Sequence, residues 1–255
     1  MNAKMKVLSL ALVGLCGYAG SAMAVCPTGP TIADGGAWTS ATELPDHTSS
    51  PLNITTPGLD TSECKLTASL QANNTAAAAT VRYNHAASEP SYRAQFLIDN
   101  TGLSGFNDFT ESVAVFQAPA TTAANGYNRL LRVVLVPGPS GAKRVRFIAQ
   151  KGAGGPTVGQ TFATDLLPGI NTIEINLQVG AAGAGNLKYW VNAGPGTTEP
   201  AFSGEIQNLD NSAWGGVSAA QLGLTSPTAA FSTNHGGQAV GFDRFDSRRQ
   251  TYIGS

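Results

Sequence analysis

The side chains best suited to hold a sugar sit on three short stretches: Arg144 and Arg146, Glu174 and Asn176, and Lys188, Trp190 and Asn192. In each stretch these positions alternate with apolar ones, so on extended strands they share a face. An outward tryptophan stacks its flat apolar ring on sugar C–H groups, while arginine, asparagine, lysine and glutamate bond the hydroxyls. The arrangement requires the three strands to lie in one sheet. The same residues also suit an exposed face laced by cross-strand ion pairs, or a Trp190 covered by the N-terminal segment.

Signals for covalent or metal chemistry are sparse. There is no Gly-x-Ser-x-Gly and no His-Glu-x-x-His. His47, His85 and His235 lie among Pro, Ser, Asn or Gly and read as surface loop histidines. The Gly-rich stretches Gly152 to Gly155 and Gly180 to Gly185 do not precede helices and read as turns, not phosphate cradles. No loop has the dense Asp-x-Asp-x-Asp-Gly pattern of a calcium loop. Asp243 and Asp246 are expected to pair with Arg244, Arg248 or Arg249, and no metal ligand is assigned.

The elements behind these residues read as strands. From Thr172 to Val179, Ile173, Ile175, Leu177 and Val179 alternate with polar residues, and Leu187, Tyr189 and Val191 alternate likewise after a Gly/Ala connection. The pair is a β-hairpin. Further strands are expected at Leu66 to Leu70, Thr80 to Tyr83, Tyr92 to Ile98, Val113 to Ala118, Leu130 to Val136, Lys143 to Gln150, Gln160 to Thr164, Val217 to Leu224 and Ala239 to Arg248. Pro137-Gly138-Pro139-Ser140-Gly141 marks a hairpin turn. With no long helix, the pattern predicts an all-β fold, a two-sheet antiparallel β-sandwich.

The N-terminus reads as a secretory signal peptide over residues 1–24: Lys4 and Lys6, an apolar run, and a small-residue end at Ala24. An exported protein, secreted or periplasmic, follows. Cleavage leaves thirteen basic against sixteen acidic residues, a net charge of about −3. With no basic run longer than two residues, nothing marks a nucleic-acid partner, and no later apolar run is long enough to span a bilayer. Cys16 leaves with the signal, and Cys26 and Cys64 remain as an expected disulfide. It closes a loop of 39 residues counting both ends, worth roughly 4 kcal/mol on the chain-entropy model. Residues 25–65, rich in proline without sustained alternation, read as an extended arm pinned by that bond. Residues 66–255 read as the sandwich domain.

The closing pieces Leu187-Lys188-Tyr189-Trp190-Val191-Asn192, Gln221-Leu222-Gly223-Leu224 and Gly241-Phe242-Asp243-Arg244-Phe245-Asp246 resemble the concanavalin A-like lectin/glucanase superfamily, nearest its laminin-G-like and pentraxin-like branch. The resemblance covers roughly Tyr92 to Gly254 and implies a jelly-roll sandwich, a carbohydrate or surface-polymer partner, and calcium in some relatives, with Asp243, Asp246 and the Asn208 to Asn211 loop as oxygen donors. Glucanases of this fold carry a Glu-x-Asp-x-x-Glu strand that supplies nucleophile and acid/base. Here Glu174 is followed by Ile175, Asn176, Leu177 and Gln178, so that pair is missing. The leading expectation is therefore a non-catalytic glycan-binding module. A structural or adhesive protein is the alternative, and a polysaccharide-cleaving enzyme comes third.

Overall fold

The computed structural model describes residues 26–60, 62–124, 127–152, 158–181, 183–193, 198–248 and 251–253. The signal-peptide expectation for residues 1–24 lies outside the described residues. In chain order the strands are β1 (Ser40–Leu44), β2 (Leu52–Thr55), β3 (Lys65–Ser69), β4 (Ala78–Glu89), β5 (Ser91–Asp99), β6 (Val113–Ala124) and β7 (Tyr127–Pro137). They continue as β8 (Lys143–Gln150), β9 (Val158–Asp165), β10 (Ile170–Gln178), β11 (Gly185–Val191), β12 (Gly204–Leu209), β13 (Val217–Thr225) and β14 (Ala239–Arg248), with one α-helix, α1 (Ala229–His235), between the last two.

The strands form two antiparallel sheets of seven. The first is ordered β1-β4-β13-β6-β7-β8-β9 and the second β12-β11-β10-β5-β14-β3-β2. The sequence's clearest hairpin is β10 with β11, paired from Ile173 opposite Val191 to Gln178 opposite Asn186. Ile173, Ile175 and Leu177 of β10 and Leu187, Tyr189 and Val191 of β11 face inward, and so do Leu131, Val133 and Leu135 of β7, Val145 and Phe147 of β8, and Phe96 and Ile98 of β5. Period-two alternation thus gives each sheet one apolar face, and the two faces close on a single core. Rings bridge the sheets: Phe96 stacks on Phe116 at 5.6 Å and Phe147 on Tyr189 at 4.0 Å between centroids. Each such buried side chain contributes about 1.5–3 kcal/mol.

The stretch read as an extended arm contributes an edge strand to each sheet, β1 beside β4 and β2 beside β3. Cys26 and Cys64 form the expected disulfide, with Cα atoms 5.7 Å apart. Trp38 packs against Phe245 at 4.9 Å, a second anchor for the same segment.

Helix α1 lies in what reads from sequence as a Ser/Thr/Gly loop. The Thr228 side chain caps it by accepting from the Phe231 N–H. Its last residue corrects the surface reading of His235. That side chain is buried at 1% exposure, and its Nε2 lies 3.0 Å from the equally buried Glu111 carboxylate. Glu111 also accepts from the Asn234 amide at 2.7 Å and from the Asn107 and Asp108 N–H groups. The network ties the loop after β5 to α1.

Because strands, a ring contact and a disulfide all hold the N-terminal segment, removing the bond should loosen its start and leave the strands. In a Cys26→Ser/Cys64→Ser variant, limited proteolysis should cut first within residues 27–37, with a stability loss of no more than about 4 kcal/mol. First cleavage inside β1 or β2, or loss of a single cooperative transition, would show that the bond holds the sandwich itself.

Candidate functional site

The structure divides the seven sugar-binding candidates between the sheets. Arg144 and Arg146 lie on β8, which pairs with β7 and β9 in the first sheet. Glu174, Asn176, Lys188 and Trp190 lie on β10 and β11 in the second. The single face inferred from sequence therefore does not exist. Alternation says which side of a strand a residue takes and nothing about which sheet the strand joins.

On the second sheet the outward residues are covered. Trp190 is 1% exposed, and its indole N–H donates to the Pro200 carbonyl at 3.0 Å. The Arg93 guanidinium lies 4.4 Å from the Trp190 ring centre and 5.0 Å from that of Tyr252. Glu174 takes Arg93 Nε at 2.5 Å, the Gln95 amide at 3.0 Å and the Ile253 N–H at 3.1 Å. Glu199 reaches Arg93 from the outside at 3.2 Å. Lys188 lies over the Phe202 ring at 5.2 Å. Asn192 sits in the bend after β11 at φ 53° and bonds Thr172 N–H and Asn171, so it shapes a turn. Trp190 is covered as one of the sequence alternatives supposed, but by residues 199–202 and Tyr252 rather than by the N-terminal segment.

The aspartates singled out from sequence also have structural partners. Asp243 accepts from Leu59 N–H at 2.8 Å and from the Ser62 hydroxyl, and Asp246 pairs with Arg248 at 2.8 Å.

The outer face of the first sheet carries a pattern the sequence does not reveal. Arg82 of β4 stands opposite Gln221 of β13, Gln221 opposite Gln117 of β6, and Gln117 opposite Arg132 of β7. At about 4.8 Å per strand this row is roughly 14 Å long. Gln221 donates to the Thr80 hydroxyl at 2.8 Å, and Arg82 Nε donates to Asn84 at 2.7 Å, which orients these two neighbours at one end of the row. Arg146 stands beside the row opposite Val134, and Arg144 pairs with Asp165. A small apolar cluster of Ala114, Val134, Val136 and Ile148 floors this side, separate from the main core.

Two amides here are buried with an atom unsatisfied. Gln117 is 2% exposed and Gln150 3%. Gln117 Nε2 and Gln150 Oε1 have no hydrogen-bond partner among the described residues. A buried amide left unbonded costs about 1–3 kcal/mol. Burial also pulls the Arg146 guanidinium below its ordinary value. Across the strands Arg82 stands opposite Ser40 and Gln221, Arg132 opposite Gln117 and Ile148, and Arg146 opposite Val134. The row itself is made of two arginines and two glutamines.

No family model matches the chain, and no curated protein matches it in sequence. Solved structures do share its fold. An endo-β-1,4-glucuronan lyase from the fungus Trichoderma reesei superposes with a TM-score of 0.61 at 11% identity, covering 88% of this chain and 94% of that one. An alginate lyase solved with an alginate tetrasaccharide gives 0.58 at 10% identity, covering 90% and 95%. The alginate lyase of Aplysia kurodai gives 0.52 at 10% identity, covering 88% and 97%. The chain thus has a jelly-roll β-sandwich fold, which it shares with these enzymes, and these neighbours lend no support to the laminin-G-like branch. They correct the expectation of a non-catalytic module, because the proteins sharing the fold over nearly their whole length are polysaccharide-cleaving enzymes.

The covered face of the second sheet makes a stability prediction. Arg93→Ala or Glu174→Ala alone strands a buried charge and should cost about 3–5 kcal/mol in urea unfolding, whereas Arg93→Met with Glu174→Leu should recover most of it. Single variants as stable as the parent would mean that water already reaches the pair.

Proposed function

We propose that this chain is a polysaccharide-cleaving enzyme that acts by β-elimination on an acidic, uronate-containing polysaccharide lying across the outer face of the first sheet. The observation that carries the reading is the row Arg82, Gln221, Gln117 and Arg132, in register across adjacent strands, with Gln117 buried and its amide nitrogen lacking a partner among the described residues. The fold it shares with glucuronan and alginate lyases supports the class of reaction. The disulfide, and a leading segment that reads as an export signal, support action outside the cytoplasm.

The chemistry asks for such a row. In elimination a base takes the hydrogen on the carbon beside the uronate carboxylate, and negative charge builds on that carboxylate. The electron pair then forms a carbon–carbon double bond and expels the glycosidic oxygen, which takes a proton. No water is consumed. Guanidinium and amide donors fixed around the carboxylate stabilise the charge as it develops, which lowers the barrier more than it tightens ground-state binding. Arg132 with Gln117 supplies one charged and one neutral donor at adjacent strand positions.

Incubation with alginate and with glucuronan, beside a neutral glucan control, tests this directly. Only the uronate polymers should yield products with the ultraviolet absorbance of an unsaturated chain end. Arg132→Ala and Gln117→Ala should each lower kcat/KM by roughly 10- to 100-fold, the range of a lost charge-assisted hydrogen bond. Reducing ends without that absorbance would replace elimination by hydrolysis. Absence of chain shortening would overturn cleavage altogether.

A further inference from the structure

Strand β4 serves two places at once. Arg82 and Asn84 belong to its outer face, while Tyr83 and His85 alternate inward, past the end of the main core. There the two sheets enclose a half-open cleft of about 570 Å³, within the roughly 300–1,000 Å³ of small-ligand sites. Tyr92 of β5 and Phe245 of β14 form its inner wall, and Trp38 lies over it from the N-terminal segment. The rings stand close together: His85 is 5.2 Å from Tyr92 and 5.7 Å from Tyr83, centroid to centroid. Tyr83 is 43% exposed, a large aromatic left uncovered at the mouth.

We infer that this cleft is a second carbohydrate site, distinct from the arginine row, which takes one or two neutral pyranose rings. Aromatic rings among the lining residues suit the apolar faces of a sugar. Polar groups among the lining residues suit its hydroxyls: the His85 imidazole, the Glu89 carboxylate and the Ser247 hydroxyl. Burial pushes the Tyr92 phenol far above its ordinary value, against a side-chain hydrogen bond to Ser247. Charge separates the two sites. Arginines dominate the outer row, whereas the cleft is lined by Glu89 and Asp246 with Arg248, which is already paired to Asp246 at 2.8 Å. An added carboxylate is unwelcome there, and an uncharged ring is not.

Trp38 makes the site observable, because Trp190 and Trp214 are buried at 1% and 0% exposure while Trp38 is half-buried. Titration of the whole protein with cellobiose, maltose and chitobiose should give a saturable change in tryptophan emission with at least one of them, and galacturonate disaccharide should bind more weakly. Tyr83→Ala, at an exposed position that does not threaten folding, should weaken binding by about tenfold or more, read by calorimetry together with Trp38→Ala. Arg132→Ala should leave it within about twofold, the behaviour of a separate site. No saturable signal with any neutral disaccharide, unchanged binding in both aromatic variants, or tighter binding of the uronate would each overturn the inference. Loss of lyase activity with intact cleft binding, or the reverse, tells the two sites apart.

Discussion

The structure depends on one steric rule, the period-two alternation of side chains along a strand. It sends Ile173, Ile175 and Leu177 of β10 into the same interior as Leu131, Val133 and Leu135 of β7, although these strands belong to different sheets. Packing two apolar faces together leaves two outer faces with no share in the core. Each must then be covered, solvated or used, and the protein treats them differently. That asymmetry decides where chemistry can happen.

On the second sheet the outer face has become a small polar interior. Arg93 and Glu174 have side-chain exposures of 1% and 2%, and burying such charges is tolerable only because each finds partners in several directions. Trp190, Tyr252, Gln95 and the backbone of Ile253 complete the set. On the first sheet Arg132 stands across from Gln117 and Ile148 and Arg146 across from Val134, with Asp165 opposite Arg144. The second-sheet network directs its hydrogen bonds inward, among Arg93, Glu174, Gln95 and Ile253. Gln117 and Gln150 on the first sheet each have one atom without a partner among the described residues.

What was legible in the sequence follows from the same rule. Strands with sustained alternation are readable nearly to the residue: β8 runs as expected, and β10 and β11 pair as a hairpin around the Gly/Ala connection, while β14 keeps its expected bounds despite a register shift at Arg244. Strands β1 and β2 lie at sheet edges, and their proline-rich setting hides them. In β12, Ile206 and Leu209 are the buried positions, too few to show a period. Helix α1 has seven residues, two turns with no room for a repeat. The site was harder because it is non-local. Gln117 and Arg132 come from consecutive strands, but Arg82 of β4 and Gln221 of β13 come from opposite ends of the chain to join them in the sheet, and no local pattern announces that adjacency. His235 was misread for the same reason, since its burial depends on Glu111 across the loop after β5.

The chain's modest charge sharpens the argument for an anionic ligand. Charged residues make up 12% of the sequence and the formal net charge is −1, so overall electrostatics would not draw a polyanion to this protein. Placement does what net charge does not. Arg82 and Arg132 share the outer face of the first sheet, with β13 and β6 between their strands, and Arg146 stands on β8 next to β7. Gln221 and Gln117 fill the positions between Arg82 and Arg132 and add donors without adding charge. On the proposed function, a uronate carboxylate laid along the row would meet guanidinium and amide donors side by side, the mixture that a developing negative charge requires.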